Sequence, residues 1–218
     1  MFGTTNSSIE QHIANAQRLA KQWRLPTGDS YSNTRPRRVE SVAVIGGGTM
    51  GRGIALSMCG GGLPCTVVEV DENAISGCKA EIGKILSREL KLQRITERQI
   101  STAWKLLKFT PRIEDVKDCD LVVEVVFESL KIKREVFSKL DGICKSETVF
   151  ATNTSSIDID LIASSIRDPT RLVGIHYFVP AHILKATEIV YGSQTSAKAV
   201  ATAFAVCRRT GKVGRGEY

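Results

Sequence analysis

The sequence has no CxxC spacing, no long apolar run free of charge and few aromatic residues, and each shortage closes a route. Its six cysteines, Cys59, Cys65, Cys78, Cys119, Cys144 and Cys207, lie mostly inside apolar stretches. Without paired spacing they suggest no metal site and fit a reducing compartment. The longest uncharged run, Gly53 to Val68, contains four glycines and Pro64. It is too short and too broken to span a bilayer, so no membrane partner is expected. The opening MFGTTNSSIE lacks the basic start and apolar block of a secretory signal. Aromatic residues make up 6% of the chain and do not alternate with its basic residues, as a strand-stacking nucleic-acid surface would require.

What is present is ordinary for a globular protein: 42% hydrophobic and 24% charged residues over 218 positions, enough to bury a substantial core. The net charge of +7 is concentrated. Arg18 to Arg38 holds six cations against Asp29, Lys84 to Arg112 holds eight against Glu89 and Glu97, and a third group lies in the last dozen residues. Solvated helix faces account for such runs. A sharper alternative is attraction of a polyanionic small molecule such as a nucleotide or coenzyme A. Nucleic acid is not expected.

Ser7 and Glu10 make a capping box, after which Ile9, Ile13, Ala16, Ala20 and Trp23 recur at helical spacing. The turn-rich LPTGDSYSNTRPRR follows as a linker, so residues 1–38 form a helix and loop ahead of the main domain. From Ser41 short β-branched runs alternate with helical segments: SVAVI, CTVVEV, DLVVEVVF, TVFAT and RLVGI. This pattern predicts an α/β fold, a doubly wound, mostly parallel sheet of Rossmann type over residues 39–213, with 214–218 as a short tail. Residues 74–108 hold two helical stretches, the second opened by Thr96, and predict an inserted helical hairpin. No internal repeat or low-complexity segment is present.

The stretch VAVIGGGTMGRG sets Gly46, Gly48 and Gly51 in GxGxxG register directly after a strand, and the strand CTVVEV is followed by Asp71, 20 residues beyond Gly51. Gly46 allows the tight turn, Gly48 lets the backbone approach a pyrophosphate, and Gly51 lets the helix pack against the strand. The helix N-terminus, with Thr49 and Met50 in its first turn, offers free amides to the phosphates. Asp71 is expected to accept from the adenosine ribose and to oppose a 2'-phosphate, favouring NAD over NADP.

These residues begin four blocks, VAVIGGGTMGRGIA, DLVVEVVFESLKIKREVF, ATNTSSIDI and GIHYFVPAHILKATEIV, and together the blocks resemble the L-3-hydroxyacyl-CoA dehydrogenase family. The PAH after HYFV and the AKQWRLPTG helix end are most similar to the dehydrogenase half of peroxisomal bifunctional enzymes. The resemblance implies NAD-dependent oxidation of L-3-hydroxyacyl-CoA to 3-ketoacyl-CoA in fatty-acid β-oxidation, an acyl-CoA substrate, a homodimer or pairing with a further helical domain, and a peroxisomal setting. It implies that Ser155 bonds the substrate's 3-oxygen, that His176 is the catalytic base and that Glu188 orients it. Glu128, Lys133 and Asn153 match cofactor-contacting positions. Taken alone, Ser155 or Ser156 also fits an N-cap for a helix starting near Ile157.

Elementary chemistry agrees with these roles. Moving a hydride from a secondary alcohol to a nicotinamide requires the hydroxyl proton to leave, and imidazole titrates where such a base is useful. A carboxylate on its far nitrogen fixes the tautomer. Two departures stand out. Val179 occupies a position that is commonly Asn or Ser in the family, and the chain ends at Tyr218, where the family continues into an all-helical domain. The isolated chain is therefore expected to be weakly active or inactive, and a catalytically silent NAD-binding module is the alternative.

Overall fold

The computed structural model describes residues 31–217, and the helix expected over 7–24 lies outside them. Eight strands form one sheet: β1 (Val42–Ile45), β2 (Cys65–Val68), β3 (Leu107–Thr110), β4 (Leu121–Glu124), β5 (Val149–Thr152), β6 (Leu172–Tyr177), β7 (Ala186–Val190) and β8 (Val213–Glu217). Their order is β3-β2-β1-β4-β5-β6-β7-β8. Every pairing is parallel except that between β6 and β7, so β7 and β8 run against the rest. The helices are α1 (Thr49–Gly60), α2 (Glu72–Lys91), α3 (Glu97–Leu106), α4 (Leu130–Ile143), α5 (Ile159–Ala163) and α6 (Ala197–Arg209).

Burial on both faces explains why the strands read as unbroken apolar runs. All four residues of β1 are buried, and their alternation splits them between two cores. Val42 and Val44 join Ile54 and Met58 of α1 and Phe204 of α6, whereas Ala43 and Ile45 join Phe137 and Leu140 of α4 and Ile162 of α5. The inserted hairpin is α2 and α3. Thr96 opens α3 with a full capping box, its hydroxyl accepting from Gln99 N while the Gln99 side chain accepts from Thr96 N.

Three strands, β3, β7 and β8, lie outside the five runs read from the sequence. Leu107–Thr110 (LKFT) continues directly from the amphipathic α3, and only its ends are fully buried, so no run of apolar residues marks it. The last residues, expected as a tail, extend β8 alongside β7, with Val213 opposite Ala186 and Glu217 opposite Val190. Two glycines within VGRGE weaken its strand signature. The helix expected near Ile157 starts at Ile159 with Asp158 as its N-cap, and neither Ser155 nor Ser156 caps it. Thr154 Oγ1 accepts from Ile157 N at 3.0 Å and occupies the turn where that cap was expected.

Candidate active site

The glycines after β1 divide the labour. Gly46 has φ +101°, and a Cβ there would stand 2.9 Å from Val125 O. A Cβ on Gly51 would stand 1.8 Å from Gly46 O. The protein's own packing therefore demands the first and third glycines. Around Gly48 nothing lies within 4 Å of an added Cβ, so the second glycine keeps open ground for something the protein does not supply. Gly48 is also the N-cap of α1 and has no side-chain cap, which leaves the first-turn amides and the positive helix end for an anion. A dinucleotide's pyrophosphate fits this cradle.

The carboxylate that meets the glycine loop belongs to Glu69. Its Oε1 accepts from Gly47 N at 2.7 Å and its Oε2 from its own neighbour Val70 N at 3.2 Å. Asp71, expected on the ribose, instead caps α2, with Oδ1 accepting from Ala74 N at 2.8 Å. The reason is where β2 stops: it ends at Val68, so Glu69 emerges at the sheet edge and Asp71 has already entered the turn into the helix. Arg52, in the first turn of α1, lies on the same loop, with Nη1 3.5 Å from Gly47 O and Nη2 3.3 Å from Thr49 Oγ1.

Next along the strand ends is a buried ion network. Lys133 of α4 is 1% exposed, and its Nζ lies 2.8 Å from Glu124 Oε1 and 3.1 Å from Glu128 Oε2. Glu124, wholly buried at the end of β4, also accepts from Val126 N at 2.8 Å and Thr152 Oγ1 at 2.7 Å. Glu128 takes a short bond from Thr154 Oγ1. Partial burial raises its pKa, but the hydrogen bonds from Thr154 and Lys133 outweigh that and hold it below the usual glutamate value. Asn153, just after β5, has its side-chain oxygen on Tyr177 N at 2.8 Å.

His176 and Glu188 face each other across the β6–β7 ladder as a register pair, and His176 Nδ1 lies 2.7 Å from Glu188 Oε2. That contact fixes Nδ1 as the far nitrogen and leaves Nε2 for a reactant. The ring stands tilted against Phe178, with centroids 4.8 Å apart. A cavity of about 380 Å³ is lined by Met50, Glu128, Lys133, Asn153, Ser155 and His176 together with Phe178 and Val179. Glu188 is outside this lining, behind the histidine. Gly46, Gly48, Thr49, Gly51 and Asp71 also lie outside it. Val179 is 60% exposed at the mouth.

Sequence reasoning missed Glu69, Glu124 and Thr154. Glu69 stands 18 residues after Gly51 and closes the apolar run CTVV, so the strand's end was its only signal. Glu124 is an acid inside the run LVVEVV, with Lys133 nine residues on. A charge amid apolar neighbours signals a buried partner.

Residues 41–214 match the family described as "3-hydroxyacyl-CoA dehydrogenase, NAD binding domain". The chain is 37% identical to the peroxisomal bifunctional enzyme of Danio rerio over 213 residues, 98% of this chain and 29% of that protein. It is 34% identical to the fatty acid oxidation complex subunit alpha of Shewanella baltica over 178 residues, 81% of this chain and 25% of that one. The chain thus spans less than a third of the curated relatives it matches. The crystal structure of the dehydrogenase part of multifunctional enzyme 1 from C. elegans superimposes with a TM-score of 0.86 at 39% identity, covering 95% of this chain and 48% of that one. The chain belongs to the 3-hydroxyacyl-CoA dehydrogenase NAD-binding domain family, and its cofactor is NAD.

Proposed function

We propose that this domain serves the NAD-dependent oxidation of an L-3-hydroxyacyl-CoA to the 3-ketoacyl-CoA, as a step of fatty-acid β-oxidation. The observation that carries the proposal is the hydrogen-bonded His176–Glu188 pair, whose histidine lines the same cavity as Met50 of the cofactor helix. NAD supplies the hydride acceptor. Glu69 and the α1 amides hold the adenosine and pyrophosphate end, with Glu69 replacing Asp71 as the acceptor for the ribose hydroxyls and as the charge opposed to a 2'-phosphate. Lys133, Glu128 and Asn153, fixed by their network and by the bond to Tyr177 N, would hold the nicotinamide end.

At the reacting carbon, Ser155 donates to the 3-oxygen and His176 Nε2 takes the hydroxyl proton as the hydride leaves. Glu188 holds the resulting imidazolium in place. Exposed apolar side chains follow three strand ends, Val70 after β2, Phe127 after β4 and Val179 after β6. They line the edge of the sheet where ligands of open α/β folds bind. The peroxisomal bifunctional enzymes among the relatives support a peroxisomal setting for the reaction, and the bacterial relative supports the chemistry in another one.

The test follows NADH absorbance with acetoacetyl-CoA as oxidant. The proposal expects a weak but substrate-dependent NADH consumption by this chain that His176→Gln removes. Consumption unchanged in His176→Gln, with NADH still bound, would overturn it.

A further inference from the structure

A second and larger cavity, about 650 Å³, opens between α1, the α2–α3 hairpin, the end of α6 and the segment after β6. It shares no lining residue with the cavity at His176. Its volume is that of a small-molecule site rather than of a protein interface. Leu86, Ile95, Ala103 and Ile183 give it apolar walls, and Ile183 is 40% exposed. Half of its lining residues are polar, and Ser57, Gln99, Thr102 and Thr210 among them are already hydrogen-bonded within the protein. His182 is half-buried, and its ring makes no hydrogen bond among the described residues. Burial holds its pKa below the usual histidine value, so the neutral ring keeps one donor and one acceptor for a ligand.

The charges on this cavity are unbalanced. Glu89 is buried and committed to Arg94 at 3.2 Å. Arg209 is committed to backbone carbonyls, at 2.8 Å to Val39 O and 3.0 Å to Gly61 O. Arg98 is exposed on α3 and has no ion pair among the described residues. The cavity therefore offers an apolar interior, an unpartnered imidazole and one uncommitted guanidinium. Apolar walls disfavour a nucleotide or a sugar, whose polar groups would lose water without replacement. An unbranched hydrocarbon with one anionic head matches the apolar walls and the two polar side chains, Arg98 and His182, that are not committed among the described residues.

We propose that this cavity binds an acyl carboxylate, the chain seated against Leu86, Ile95, Ala103 and Ile183 and the head held by Arg98 with His182. The site goes beyond the dehydrogenase proposal and does not depend on it. It touches the same stretch of chain, because His182 and Ile183 follow Phe178 and Val179 of the His176 cavity by four residues in each case.

Isothermal titration of the 218-residue chain with decanoate, kept below its micellar concentration, tests the proposal. Saturable binding is expected that persists with saturating NADH, falls at least tenfold in Arg98→Glu and is at least tenfold weaker for decanol. NADH binding by the variant, unchanged, serves as the control for folding. No saturable binding to a chain that binds NADH, equal decanoate affinity in Arg98→Glu, or displacement by NADH would each overturn the assignment.

Discussion

His176 and Glu188 are opposite residues of one antiparallel ladder, and the 2.7 Å contact between Nδ1 and Oε2 is set by strand register. Cross-strand partners on one face stand side by side by construction, so the pair needs no loop to assemble it.

His176→Gln is expected to lower turnover by about two orders of magnitude or more, the usual worth of a positioned general base. Glu188→Gln should act in the same direction and less strongly, since the ring keeps its place in β6. Thermal unfolding of both variants should stay within a few degrees of the parent. A fall in stability with specific activity intact would reduce the pair to packing.

Glu69 and Asp71 are separated by a nucleotide titration. Glu69→Gln removes the charge beside the loop while Arg52 stays, so the NADH to NADPH affinity ratio should fall by about tenfold, the equivalent of roughly 1.4 kcal/mol. Asp71→Ala removes a helix cap and should cost about 1 kcal/mol of stability with that ratio unchanged. Fluorescence titration with both nucleotides and a denaturant melt decide between them. The reverse pattern would restore Asp71 to the ribose.

Lys133 neutralises a carboxylate that has no access to water. Lys133→Met should therefore destabilise the domain by about 3–5 kcal/mol, because Glu124 would be left charged and buried. Adding Glu124→Leu should recover part of the loss. Urea unfolding of the single and double variants measures both, and a double variant no better than the single would refute the account.

Asp141 of α4 predicts the acid limit. Its side chain is 6% exposed and bonds Arg167 Nε at 2.7 Å, with a short bond from Arg171. Burial pushes its pKa up, but the Arg167 bonds and the two guanidinium charges outweigh that and bring it below the ordinary 3.8. The sign follows: a folded pKa below the unfolded one stabilises fully above about 3.8 and is lost as pH falls through the folded value. Melting temperatures between pH 2 and 5 should drop steeply in the parent, and Asp141→Asn should flatten that slope.

The five core strands were legible because β-branched runs mark elements buried on both faces, and the hairpin because Thr96 and Gln99 write a capping box into the sequence. β3, β7 and β8 were not, since none of the three carries such a run. At the site, the glycine spacing was readable from its physical tasks, whereas the acid that meets the glycine loop, Glu69, stands two residues before the one read from the spacing. Strand ends depend on which residue last finds a ladder partner, and Val68 with Thr110 is that pair in β2. The buried Glu124–Lys133 contact joins a strand to a following helix, and no short spacing rule encodes it.

The carbonyl of Ala181 receives two donors, Ser57 Oγ at 2.9 Å and the buried Lys212 Nζ, which also reaches Leu184 O at 2.6 Å. One donor comes from 124 residues upstream and the other from 31 downstream. The turn after His176 is therefore tied to both ends of the domain, and contacts of such long separation carry a large closure cost. Hydrogen exchange during refolding is expected to find the amides of Ile183 and Leu184, both bonded to Pro180 O, protected after those of β1 and β4.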